Sequence, residues 1–272
     1  MLKSLSPDSR HKPGGYLSGS NMDPLLIRVF LLVIVLIFAH TVETVLGFGA
    51  NIIALALGIF IFPLETILPV LVILGLLQSL WLVARWFKYI RWQVLFLNIL
   101  PAAIIGMAIG IFYRTLVGNY TQLLILLGVF IMAVSIMEIV LIYKTRAAGG
   151  SLPWYLGWPI LIVGGIFHGI FASGSPLIIY YSSRELKEPA EFRATISMLW
   201  LILYIILIVN LFSIGQINIT TLATTGIVLP GLVLGIVFGS RMTFRTLVYK
   251  VLIYTLLFVA GSLLVVQQIV NL

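Results

Sequence analysis

The chain has 272 residues, 61% hydrophobic and only 9% charged, whereas a soluble domain carries about 25% charged residues. That balance excludes a soluble globular fold, and the apolar residues recur in runs near the ~20 needed to cross a ~30 Å hydrocarbon core. The net charge of +8 comes from basic residues in short loops between apolar runs, where the positive-inside bias puts them, so the charge points to membrane topology and not to nucleic acid.

Residues 1–24, with Ser, Pro, Gly, Lys3, Arg10 and Lys12, have no apolar core of their own and are expected to be a disordered tail. The apolar segment after them exceeds the ~7–15 residues of a signal h-region, and no small-residue cleavage site ends it, so it is retained. Apolar runs then fall at 25–45, 49–62, 66–84, 93–112, 120–142, 156–171, 176–182, 190–212, 221–239 and 247–270. Run 49–62 is short. The stretch 156–182 is interrupted by Ala172-Ser173-Gly174-Ser175-Pro176, which predicts a break with Ser175 as the new N-cap and Pro176 as the first helical residue.

The two halves resemble each other. Leu100-Pro101 and Gly106 answer Leu229-Pro230 and Gly235; Tyr113-Arg114-Thr115-Leu116-Val117 answers Phe244-Arg245-Thr246-Leu247-Val248; Gly49 answers Gly174, and Pro63 answers Pro189. The slowly drifting offset is what a diverged duplication leaves. The expected fold is all-α and polytopic, with two inverted repeats, each a broken re-entrant helix pair followed by three spanning helices. Residues 25–143 form the first membrane repeat, 144–154 a cytoplasmic linker, and 155–272 the second repeat.

This topology places Arg85, Lys88, Arg91, Lys144, Arg146, Arg184, Lys187, Arg193, Arg241, Arg245 and Lys250 on one side, leaving Lys3, Arg10, Lys12, Arg28 and Arg114 on the other. The larger group is expected in the cytoplasm of a multi-pass protein of the inner (plasma) membrane.

Irregular backbone survives at membrane depth only where it is buried in protein or lines a wet cavity. The stretches Gly47-Phe48-Gly49-Ala50-Asn51 and 172–176 are therefore the candidate site, each presenting the start of a half-helix with free N–H groups. Asn51, Ser173 and Ser175 add neutral donors suited to an oxyanion. The bland alternative is that small residues here only permit close helix packing. Glu43 lies in an apolar run, where an ionised carboxylate costs at least ~2.5–3.5 kcal/mol, and corresponds by offset to His168. The two could form a proton relay together with His40; alternatively, Glu43 pairs with His40 one turn earlier and His168 bonds a backbone carbonyl. Arg193 opens a span and is a candidate substrate contact or an interface anchor. Gln78, Asn98 and Asn210 are expected to be interhelical glue, and Glu138 to reach the cytoplasmic edge.

Zero cysteines and three histidines exclude disulfides and cysteine nucleophiles and leave little for a metal. No enzymatic motif is present; neither a catalytic role nor a cofactor is expected.

The stretches Glu43-Thr-Val-Leu-Gly47-Phe-Gly49 with Pro63, Gly165-Ile-Phe-His-Gly169-Ile-Phe-Ala-Ser-Gly174-Ser-Pro176, and Phe192-Arg193-Ala194-Thr195 resemble the sulfite exporter family of TauE/SafE-type membrane transporters. The resemblance covers about residues 30–270. It implies a secondary carrier of sulfite, small organosulfonates or other small anions, coupled to protons, with Gly47, Gly49, Gly174, Pro176 and Arg193 as signature positions. The chain departs from the glycine-richer pattern at Ala50-Asn51, Ser173 and Ser175, which suggests retuning for a larger sulfonate. The expected partners are a small anion, the lipid bilayer and, in a homo-oligomer, further copies of the chain. The rival reading is a non-transporting membrane protein, a small intramembrane enzyme or an assembly partner with a lipid-filled cavity.

Overall fold

A computed structural model describes residues 24–117, 120–144, 152–242 and 247–270. The expected tail except Pro24, most of the linker and Arg245 lie outside the described residues. In chain order the helices are α1 (Pro24–Leu46), α2 (Ala50–Gly58), α3 (Leu64–Trp86), α4 (Leu100–Leu116), α5 (Tyr120–Lys144), α6 (Trp154–Phe171), α7 (Ser175–Glu185), α8 (Pro189–Ser213), α9 (Ile219–Arg241) and α10 (Leu247–Val270). A 3₁₀ turn, Phe87–Tyr89, extends α3, and a π-helical turn, Val94–Ile99, leads into α4. No strand occurs among the described residues.

Among the described residues, eight segments are long and apolar enough to cross a membrane. The molecule is an all-helical polytopic membrane protein, as its composition requires. The two exceptions, α2 with 9 residues and α7 with 11, are the elements that follow the glycine-rich breaks. Each broken pair thus joins one helix of spanning length, α1 or α6, to one short helix packed back against it. The helix starts follow local chemistry. Pro63 precedes α3 and Pro189 opens α8, where a missing N–H costs nothing; Asn218 caps α9 by accepting from the Thr221 N–H at 3.0 Å.

The long helices pack in pairs: α1 on α9, α6 on α4, α3 on α8, and α5 on α10. Lipid supplies no hydrophobic drive between helices, so close approach through small residues holds them. A methyl group at Gly235 of α9 would sit 2.7 Å from the His40 Cβ and 3.0 Å from the Ile37 carbonyl of α1. One at Gly106 of α4 would overlap the Ile162 carbonyl of α6. The short helix α2 is buried along almost its whole length, from Ala50 to Ala56, so the two breaks lie inside the bundle.

Candidate functional site

The first break is made by two glycines with left-handed backbone, Gly47 at φ 86° and Gly49 at φ 105°, a conformation costing other residues about 1–2 kcal/mol. They end α1 and start α2 with its first N–H groups unpaired within the helix. Glu43, only 2% exposed, reaches across this turn, and its Oε2 accepts a hydrogen bond from the Ala50 N–H at 2.9 Å. The Glu43 carboxyl group therefore occupies the positive end of α2, the place that favours negative charge.

The second break turns at Ala172, φ 53°, whose N–H is bonded to the His168 carbonyl at 2.7 Å. Here Gly174, and not Ser175, is the N-cap of α7; Ser175 is its first residue and no side chain caps it. A methyl group at Gly174 would collide with the Gly164 carbonyl and lie 2.8 Å from the His168 nitrogen, so only glycine fits at this position. Asn51 joins the two breaks, donating from Nδ2 to the Ala172 carbonyl at 3.2 Å. Its Oδ1 has no partner.

Glu43, Gly49, Asn51, His168, Ala172 and Ser175 line one small cavity together with Trp200 and Tyr204. Its volume is about 10 Å³, near the minimum for one water molecule. Trp200 and Tyr204 flank the midpoint of the 25-residue α8, so the cavity is level with the centre of that span. The His168 ring stacks on Trp200 at 5.3 Å and 19°, and is tilted against Tyr204 at 5.3 Å. Both His168 ring nitrogens are buried without a hydrogen-bond partner, so the backbone-carbonyl bond of the alternative reading is not made. Ser173, 1% exposed, also has an unpartnered hydroxyl, but it does not line the cavity.

His40 stands apart. Its Nδ1 is hydrogen-bonded to the Gln78 Oε1 on α3, while Gln78 Nε2 donates to the His40 carbonyl at 3.3 Å and to the Thr44 hydroxyl at 3.1 Å. The Glu43–His40 pair that helical spacing allows is replaced by two bonds to other elements, because the Ala50 N–H competes for the carboxylate. Gln78 and Asn210, which accepts from Arg114 Nη2 at 3.0 Å, do tie helices together. Glu138, near the end of α5, is hydrogen-bonded to the Tyr254 hydroxyl of α10.

Arg193 is not in the cavity either. Its Nη2 donates to the Val45 carbonyl at 2.8 Å, one of the open carbonyls at the end of α1. It lines a broad open vestibule of about 520 Å³, together with Thr44, Leu46, Trp81, Arg85, Trp86 and Phe192. Arg193 precedes Trp200 by seven residues, about 10 Å along a helix, and Gly47 backs onto its side chain. The vestibule thus ends where the first break begins, with the cavity beyond it. Trp200 and Tyr204 carried no signal in the sequence, since an aromatic residue within an apolar run reads as ordinary core. Among the described residues no three His, Cys, Asp or Glu side chains gather to hold a metal.

The family model for the sulfite exporter TauE/SafE matches residues 32–264. The chain belongs to the sulfite exporter TauE/SafE family. It is also 30% identical over 159 residues to the "Probable inner membrane transporter protein TsaS" of Comamonas testosteroni, a match covering 57% of this chain and 64% of that protein. The chain thus spans a little under two thirds of this relative's length, and no solved structure matches. Within this TauE/SafE chain, the signature positions named from sequence divide by place. Gly49 lies on the cavity wall, Gly174 shapes the turn behind it, Pro176 borders an adjoining apolar space, and Gly47 and Arg193 meet at the vestibule floor. The family is described as one of sulfite exporters.

Proposed function

We propose that this protein carries small anions, sulfite or an organosulfonate, across the inner membrane by alternating access, and that a proton on Glu43 is coupled to the anion. The observation that carries the reading is the Glu43 carboxylate seated on the first N–H of α2. A helix start in a closed cavity is an anion site, and here a tethered anion occupies it. A second negative charge about 4 Å away would cost roughly 4 kcal/mol at an effective dielectric of 20. An incoming anion therefore requires Glu43 to take up a proton, after which the carboxyl group can donate to the same anion. Asn51 and Ser175 offer neutral donors, and His168 has two ring nitrogens free to bond a ligand.

The vestibule supplies the route. Its end of the bundle carries Arg85 and Arg193, the side that the positive-inside rule assigns to the cytoplasm, and its positive charge concentrates anions at the entrance. Arg193 pins the end of α1 and keeps the cavity closed. The packing fits two inverted repeats: exchanging the halves turns the α1–α9 pair into the α6–α4 pair, and pairs α3 with α8 and α5 with α10. The name of the Comamonas relative, an inner membrane transporter, supports the location.

The test is uptake of labelled sulfite or ethanesulfonate into liposomes holding the purified full chain, with and without a pH gradient. Uptake that the gradient accelerates, and that Ser175→Val reduces at least tenfold, supports the proposal. No flux of any anion would favour the non-transporting rival.

A further inference from the structure

Helix α8 is tied down at both ends, with the cavity between. Near its start Arg193 donates to the Val45 carbonyl of α1 beside the vestibule. Near its other end Asn210 accepts from Arg114 Nη2, at the close of α4, at 3.0 Å. Trp200 follows Arg193 by seven residues and Tyr204 precedes Asn210 by six, so the two ties sit about 10 Å to either side of the cavity wall along the helix. The two halves of α8 differ in their surroundings. Phe192 and Arg193 border the open vestibule, whereas Leu203, Leu207 and Leu211 are turned into the core, at most 1% exposed. The vestibule end of α8 thus faces open space, and its Arg114 end is packed.

Arg114 is poorly answered for a tie. Its own helix packs on α6, so the guanidinium reaches across to α8. Nη1 is buried with no hydrogen-bond partner among the described residues, and the partner of Nη2 is a neutral amide oxygen. A guanidinium is always protonated, and a charge within a spanning segment is costly unless it is paired. A residue placed only to join two helices would be better served by a carboxylate, which matches the fork and the charge together. Of the described basic residues that the topology assigns to this end, Arg28 is exposed and Arg114 is turned inward. We infer that Arg114 is the substrate contact at this second mouth, holding Asn210 while that end is shut and giving its guanidinium to the anion when α8 moves away. This rests on the proposed anion transport and extends it from the central cavity to the far mouth. Because α8 packs on α3, that pair is tied to α1 at one end and to α4 at the other, and tilting it frees one end at a time. Arg193 and Arg114 then play the same part at opposite ends, each exchanging a neutral oxygen for an anion.

The test is concentration-dependent uptake of a labelled tracer, sulfite or ethanesulfonate, whichever is carried, into liposomes holding the full chain with Ser240→Cys in the vestibule. A bulky impermeant maleimide in the bath plugs the copies whose vestibule faces outward, so the remaining uptake enters at the Arg114 end. Arg114→Gln should raise KM for that uptake at least about tenfold, the worth of one charge-assisted hydrogen bond, with kcat changed less than about threefold. Arg114→Lys, which keeps the charge, should recover most of the loss. Asn210→Asp sets on the guanidinium a carboxylate that the anion must displace; the melting temperature should hold or rise while flux falls at least about tenfold. An unchanged KM in Arg114→Gln, or a fall in kcat alone that Arg114→Lys does not repair, makes Arg114 a structural tie and overturns the inference while leaving anion transport standing. If Arg114→Gln does not fold, Asn210→Asp decides, and full flux through that variant overturns the inference. If the wild type carries neither tracer, the transport proposal falls and this one with it.

Discussion

Glu43→Gln separates the two jobs assigned to Glu43. The carboxylate accepts the Ala50 N–H at 2.9 Å, a charge-assisted bond worth about 1.5–3 kcal/mol. Glutamine keeps an acceptor oxygen of the same reach, so the start of α2 stays capped at a cost of about 1 kcal/mol, and the protein should fold. What glutamine cannot do is take up and release a proton. The substrate in this assay is ethanesulfonate, the anion of a strong acid, which stays ionised throughout and adds no titration of its own. With one proton moving with each anion, a gradient of one pH unit supplies about 1.4 kcal/mol and sustains at most about tenfold accumulation on the alkaline side. The wild type should approach that ratio, and should load faster as the entry side is acidified, because protonation of Glu43 frees the site. Glu43→Gln should show tracer exchange between equal concentrations but no accumulation and a flat dependence on entry-side pH. Glu43→Ala, which removes the acceptor as well, should lower thermal stability further than Glu43→Gln. Accumulation driven by the pH gradient in Glu43→Gln would refute the reasoning and move the coupling elsewhere.

His168→Phe keeps the stacking on Trp200 and Tyr204 and deletes two buried nitrogens without partners, each costing about 1–3 kcal/mol; the melting temperature in detergent should hold or rise while flux falls at least tenfold, and retained flux would reduce His168 to a packing residue. Gly174→Ala forces a methyl group against the Gly164 carbonyl and should cost about 1–3 kcal/mol or more, seen as a lower melting temperature by size-exclusion chromatography, whereas Gly226→Ala, with open space around it, should be near neutral; equal losses would mean that the α6–α7 turn tolerates a side chain. Because the chain has no native cysteine, single thiols report access cleanly. Ser240→Cys in the vestibule should react quickly with an impermeant maleimide and Ser175→Cys slowly, with Arg193→Ala raising the Ser175→Cys rate at least tenfold; unchanged protection would show that Arg193 does not hold the cavity shut.

What the sequence could disclose was whatever a single residue type enforces locally. Apolar runs set the spans, and the glycines at 47, 49 and 174 marked both interruptions, because no other residue suits those dihedrals or that clearance. Contacts made across the fold were hidden. The spacing of His40 and Glu43 permits an ion pair on one helix face, yet Glu43 turns to a backbone N–H seven residues on, and His40 to Gln78, thirty-eight residues away. Ser175 reads as a better cap than Gly174 by side-chain chemistry, yet α7 already begins at Ser175, and the Gly174 that caps it has no room for a Cβ beside the Gly164 carbonyl. Trp200 and Tyr204 join the site only through the way α8 faces α6, which no local pattern records.

The same contacts suggest which parts can move. Where backbone meets backbone through glycine, as at Gly106 against Ile162 and Gly235 against Ile37, two helices behave as one body, since packed interfaces of this kind have discrete fits and do not slide. The α4–α6 and α1–α9 pairs are such bodies. The links across the seam between the breaks are of a different kind, long side chains reaching a carbonyl: Asn51 to Ala172 at 3.2 Å, and Arg193 to Val45 at 2.8 Å. Each is worth about 0.5–3 kcal/mol, and each can be exchanged for a bond to an oxyanion without leaving its donor unpaired. An anion entering from the vestibule offers Arg193 and then Asn51 a better acceptor than the carbonyl it now holds. Binding would thus release the two ties that keep the seam closed, which is how a ligand shifts the balance between two arrangements of rigid bodies.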